Sequence, residues 1–167
     1  MAQAHAAKHN AHLAILVKLE RLGDEVRHLT AGLSNEQLAQ RTEPDKWSLR
    51  ELVAHLSRLQ DIFKQRVTAM IQQERPQITS YIPESDPDFA DFSSRPADVI
   101  IQEFVANRQK FVAWMRALEP QHWHRAGQHP DYPFYDVHFA VDYMSHHEAH
   151  HIYQMFQRRV PFGPLPH

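Results

Sequence analysis

Apolar residues recur every three or four positions through four separate stretches of this chain, and no segment alternates convincingly with a period of two. That pattern points to packed amphipathic helices and gives no sign of a sheet. The first stretch covers about residues 5–30, with Leu16, Leu19, Leu22, Val26 and Leu29 in register. The second opens at Ser48, which forms a capping box with Glu51, while Trp47 and Leu52 are placed to staple the turn. Its stripe, Leu52, Leu56, Leu59, Phe63, Val67 and Met70, continues to about Glu74. The third covers roughly 96–118 through Ile101, Phe104, Phe111, Met115 and Leu118, and the fourth roughly 136–159 through Val137, Ala140, Val141, Met144, Ile152, Met155 and Phe156. A short helical turn over Ser34–Ala39 has its own capping box, Ser34 with Gln37.

Four such helices predict an all-α helix bundle, in a single domain covering residues 1–167. No internal repeat or low-complexity tract divides the chain, and most of its 11 prolines fall between the helical stretches. The 75–95 connection is long for a bundle. At roughly 3.3 Å per residue it can run the length of the molecule, which allows the second and third helices to lie parallel.

Composition removes several function classes. The chain has no cysteine, so disulfides, cysteine zinc sites, thiol nucleophiles and iron–sulfur clusters are excluded. Its 4 glycines are isolated and make no phosphate loop. With 18 basic and 20 acidic residues the net charge is −2, which provides no footprint for nucleic acid or an anionic membrane. No apolar run approaches the length of a membrane span. The first fifteen residues lack the pattern of a signal peptide, so the cytoplasm is the expected compartment.

What remains is histidine, 14 in all. The segment from Ser145 to Gln154 contains two overlapping pairs at spacing four, His146/His150 and His147/His151. Such a spacing stacks two imidazoles one turn apart on one helix face, within reach of a single metal ion. On a helical wheel at about 100° per residue, His147 and His151 share the sector of Ala140, Met144 and Met155, whereas His146 and His150 turn outward. A third ligand is expected from a neighbouring helix, and His55 sits at the edge of the second helix's stripe beside Leu59 and Ile62. Three neutral imidazoles leave one coordination position for water, the pattern of a reactive site. Zinc or nickel suits such a set, and iron or manganese is compatible with it.

The competing reading is a histidine-rich surface with no ligand role. His5, His9 and His12 form another run, in a segment prone to fraying. A carboxylate-bridged di-iron site is excluded: of the two E-x-x-H matches, Glu25…His28 points to solvent, leaving only Glu148…His151. Arg108 interrupts the third helix's stripe between Phe104 and Phe111. It reads either as a substrate-binding anion anchor or as a cation paired with an acid inside the bundle. Gln154, on the face of His147 and His151, and Tyr143 are catalytic candidates that can orient a ligand or donate a proton. Glu84, Asp86, Asp88 and Asp91 read as a solvated surface, with a lid as the alternative.

The order Trp47-Ser48-x-x-Glu51-x-x-x-His55-Leu56, then His147-x-x-x-His151-x-x-Gln154, resembles the DinB-like (damage-inducible) superfamily. His129-Pro130 and Arg108 also fit, and the resemblance extends over about residues 10–159. It implies an up-down-down-up four-helix bundle, frequent homodimers, and one divalent metal ion on His55, His147 and His151. The additional His146 and His150 depart from the family's usual pair. Despite its name the family is not a set of DNA-binding proteins. Its members are mostly described as metal-dependent hydrolases, and relatives transfer or isomerise small molecules with low-molecular-weight thiols. A metal-dependent hydrolase of a small-molecule substrate is therefore expected, with a thiol-dependent transferase or isomerase and a non-catalytic metal-binding stress-response protein as alternatives.

Overall fold

The computed structural model describes residues 2–165, with side chains from residue 11 onward. His5 and His9 thus lie outside the described side chains. The helices are α1 (Ala2–Thr30), α2 (Asn35–Ala39), α3 (Leu49–Gln72), α4 (Phe89–Ser94), α5 (Ala97–Arg116) and α6 (Val137–Arg159). Strands β1 (Ala126–His129) and β2 (Tyr132–Asp136) precede α6.

The start of α3 is fixed by its cap. The Glu51 backbone N–H donates to Ser48 Oγ at 3.2 Å, and the Ser48 N–H donates to Glu51 Oε2 at 2.8 Å. Arg41 adds bonds of 3.0 and 2.5 Å to the same carboxylate. Such a cap contributes about 1 kcal/mol and sets the phase of the turns that carry His55. At α6, the Asp136 side chain accepts from the Phe139 N–H at 2.8 Å.

Two apolar clusters define the topology. One joins Leu16 and Leu19 of α1, Phe63 and Met70 of α3, Phe111 and Met115 of α5, and Ala140 and Met144 of α6. The other joins Leu29, Leu52, Phe104 and Met155 of the same four helices. Along α1 and α6 the residues of the first cluster precede those of the second, whereas along α3 and α5 they follow them. Hence α1 and α6 run one way and α3 and α5 the other, an up-down-down-up bundle. The parallel neighbours α3 and α5 are joined by a crossover over 73–96, which carries α4.

Between the clusters sits a charge pair. Arg108, only 2% exposed, meets Glu148 with bonds of 2.8 and 2.5 Å. It also donates to Gln60 Oε1 at 2.6 Å and to the Leu19 carbonyl at 2.7 Å. Gly23 of α1 makes room for it, since a Cβ there would stand 3.2 Å from Arg108 Cγ.

The expectation of no sheet is corrected. β1 and β2 pair antiparallel, Gly127 opposite Tyr135 and His129 opposite Tyr132. The crossover adds reciprocal 2.8 Å bonds, Ile78 N–H to the Gln128 carbonyl and Gln128 N–H to the Pro76 carbonyl. Strands of four and five residues are too short to reveal a period, and contacts distant in sequence hold them in place. Among the described residues, no helix is long and apolar enough to cross a membrane.

Candidate metal centre

The second turn of α3 turns His55 inward, where it is 3% exposed. From α6, His151 is buried and His147 half-buried, while His146 and His150 face solvent. The three inward residues each offer a ligand atom within 4.8 Å of the others. His147 Nε2 and His151 Nε2 are 3.2 Å apart. Two nitrogens on a tetrahedral ion, each with an arm of about 2.0–2.1 Å, stand roughly 3.3 Å apart, so the spacing suits a shared ion.

Gln154 sets the polarity of this arrangement. Its Oε1 lies 2.8 Å from His151 Nδ1, and its Nε2 lies 3.1 Å from His150 Nε2. With the amide oxygen accepting the His151 Nδ1 proton, the Nε2 lone pair is directed at the cluster. The amide nitrogen faces outward to the exposed His150, which accounts for one of the two additional histidines.

Electrostatics keep all three rings neutral. Burial pushes His55 down to about 3, with repulsion from His151 and His147 adding to it. His147 falls to about 4, again chiefly through burial, then through His151 and His150. Burial also lowers His151, against the hydrogen bond to Gln154, which raises it. Neutral imidazole is the form that binds metal. His55 Nδ1 is buried without a hydrogen-bond partner among the described residues, a polar atom left for a ligand to satisfy.

The triad closes one end of a cavity of about 320 Å³. Trp47, Tyr81 and Phe89 surround His55 with ring centroids 5.0, 6.1 and 6.3 Å away. The crossover is tied down by Asp86, which accepts from Arg58 Nε at 3.0 Å and from the Tyr81 hydroxyl at 2.9 Å. Burial raises the Asp86 carboxyl, but these two bonds outweigh it and hold the group below the ordinary carboxylate range. Asp86 is therefore an anchor rather than solvated surface, whereas Glu84, Asp88 and Asp91 are exposed.

The sequence matches the DinB superfamily over residues 18–155. The chain belongs to the DinB superfamily. Its fold is similar to that of YfiT from Bacillus subtilis, described as a probable metal-dependent hydrolase with an unusual four-helix bundle topology. The TM-score is 0.79 at 19% identity, covering 91% of this chain and 87% of that one. It is also 27% identical over 144 residues to the uncharacterized protein YuaE of Bacillus subtilis strain 168, covering 74% of this chain and 84% of the relative.

Within this DinB bundle the other candidates separate. Tyr143 lines the cavity, stacked at 6.0 Å beside His147 and edge-on to the Tyr132 ring at 5.5 Å. Arg108 does not line it. Its guanidinium is occupied by Glu148, Gln60 and a backbone carbonyl, so the structure places it as a buried ion pair and not as a substrate anchor. The same pairing withdraws Glu148 from any ligand role. His12 stacks at 4.3 Å on Trp123, a member of the first apolar cluster, and does not join the triad.

Several cavity residues were not singled out in the sequence: Arg66, Tyr81, Tyr132 and Tyr135. Arg66 was detectable, because it follows His55 by three helical turns on the same face. The tyrosines belong to the crossover and the hairpin, where no periodicity marks them.

Proposed function

We propose that this protein is a mononuclear metal-dependent hydrolase of a small-molecule substrate, its divalent ion held by His55, His147 and His151. One observation carries this reading: three inward imidazoles, kept neutral by burial, converge at the end of a cavity of about 320 Å³ without a fourth His, Cys, Asp or Glu in the group among the described residues. That favours a position open to substrate over a closed structural site. YfiT's description as a probable metal-dependent hydrolase supports the reaction class. When bound, the ion supplies Lewis acidity, polarising an electrophile and making water a nucleophile near neutral pH.

The chain's own residues do the positioning. Gln154 fixes the His151 tautomer through Nδ1, so that ring cannot rotate its lone pair away from the centre. Tyr143 places a phenol along the cavity from His147, suited to hydrogen-bond a developing oxyanion or protonate a leaving group. Leu59, Phe63 and Trp47 supply an apolar lining that strengthens these polar contacts by excluding water.

The test loads tag-free protein with zinc, nickel, iron or manganese in turn and assays each form on a panel of esters, amides and reactive halides, with and without low-molecular-weight thiols. Turnover without thiol, lost in His151→Ala, is the expected result. Strict thiol dependence replaces the hydrolase with a transferase, and inactivity of every metal form across the panel moves the site to a non-catalytic role.

A further inference from the structure

Resting on that reading, we propose that the end of the cavity opposite the histidines is an anion subsite built on Arg66, so that the substrate carries a carboxylate or phosphate remote from its reacting group. The placement follows from helix geometry. On α3, His55, Leu59, Phe63 and Arg66 stand at intervals of four, four and three residues, forming one stripe, and all four line the cavity. The antiparallel α6 presents His151, His147 and Tyr143 at intervals of four along the facing wall. Read away from the triad, the trough passes two apolar side chains and ends at a guanidinium. The eleven residues from His55 to Arg66 rise about 16 Å along the helix axis.

Arg66 is held in place without being neutralised. Its Nη2 donates to the Thr79 carbonyl at 2.5 Å and its Nη1 to the Tyr135 hydroxyl at 3.3 Å. Its guanidinium carbon stands 5.1 Å from the Phe63 ring centroid. No carboxylate of a described residue lies within ion-pair distance, and two bonds leave donors of the five-donor fork free. Asp131 at the rim is the neighbouring acid. Its carboxylate is engaged by the Ser80 hydroxyl and is 62% exposed.

The surrounding groups are also donors. His129 Nδ1 accepts the Asp131 backbone N–H at 3.2 Å, which leaves the proton of the neutral ring on Nε2. Burial and the Arg66 charge keep that ring neutral, against the pull of Asp131. Burial raises Tyr135, so the phenol that accepts from Arg66 retains its own proton to donate. A planar, oriented guanidinium amid phenols and an imidazole N–H is complementary to an oxyanion.

The experiment pairs neutral alkyl hydroxamates with ω-carboxylate and ω-phosphonate hydroxamates of equal length, from four to ten carbons, titrated calorimetrically into zinc-loaded protein. The hydroxamate reads the metal centre; the difference between tails reads Arg66. A charged tail of one length should bind about 10- to 100-fold more tightly than its neutral partner. Arg66→Gln should reduce that advantage to within about twofold while sparing the neutral series, and Arg66→Lys should restore part of it. Preference for the carboxylate or phosphonate tail identifies which anion the site takes. Equal binding of charged and neutral tails, or an advantage that survives Arg66→Gln, overturns the subsite. If no hydroxamate binds, the metal reading fails instead, and the subsite is decided on metal-free protein with phenylacetate and phenyl phosphate: tenfold weaker binding to Arg66→Gln upholds it, and no difference ends it.

Discussion

Replacing Arg108 with methionine should unfold this protein more easily while leaving its binding sites intact. The side chain carries four hydrogen bonds, two of them to Glu148, and both partners are 2% exposed. Its removal strands a carboxylate inside the bundle and leaves the Gln60 and Leu19 oxygens without their donor. Breaking one side of a buried pair costs about 3–5 kcal/mol. At roughly 2–4 °C per kcal/mol for a chain of this size, the melting temperature should fall by about 6–20 °C. Combining Arg108→Met with Glu148→Leu removes both charges and should return stability to within about 1–2 kcal/mol of the parent. Thermal and urea unfolding of the parent, the two single variants and the double variant supply the complete cycle, followed by circular dichroism on metal-free protein. Zinc affinity, measured in parallel, should change little. A single variant costing less than about 1 kcal/mol, or a double variant costing the sum of the two singles, would refute the reasoning. A normal melting temperature combined with weakened substrate binding would instead return Arg108 to the role of anchor.

His151→Ala should abolish stoichiometric zinc binding in elemental analysis, whereas His146→Ala should retain a full equivalent. Gln154→Leu should weaken zinc about 10- to 100-fold by releasing the His151 tautomer, read by competition with a chromogenic chelator. In metal-free protein, His55 and His147 are protonated only after unfolding between pH 6.5 and their lowered values of about 3 and 4. The unfolded state therefore binds more protons in that window, and stability should fall as the pH drops, by up to about 1.4 kcal/mol per pH unit for each histidine. The urea midpoint of the parent should consequently drop more steeply with acid than that of His55→Phe; parallel slopes would count against buried neutral rings.

The helices were legible because each is written locally. Ser48 and Glu51 form the expected box, and the wheel that turned His147 and His151 inward needed only the phase of Met144 and Met155. His55 was legible for the same reason, as a polar residue at the edge of an apolar stripe. Arg108 and Arg66 show where local reading ends. Both are cations on buried helix faces, but one meets an acid 40 residues away and the other meets none within ion-pair distance among the described residues. No spacing rule distinguishes them, since the deciding partner lies on another helix. The hairpin was missed for the related reason that Pro76 and Ile78, far back in the chain, complete its hydrogen bonds.

The parallel course of α3 and α5 has a consequence for how proteins of this shape diverge. The chain must return the length of the bundle between them, so part of the cavity wall comes from a connection outside the four long helices. Ser80, Tyr81 and Pro83 come from that return, and Tyr132 and Tyr135 from the hairpin, whereas the histidines are borne by α3 and α6. Substitutions on the return and the hairpin therefore reshape the cavity while the three histidines stay where the long helices put them. Loops carried on a rigid scaffold tolerate change best. The shape of the cavity is accordingly free to drift between descendants of one bundle long before the fold does.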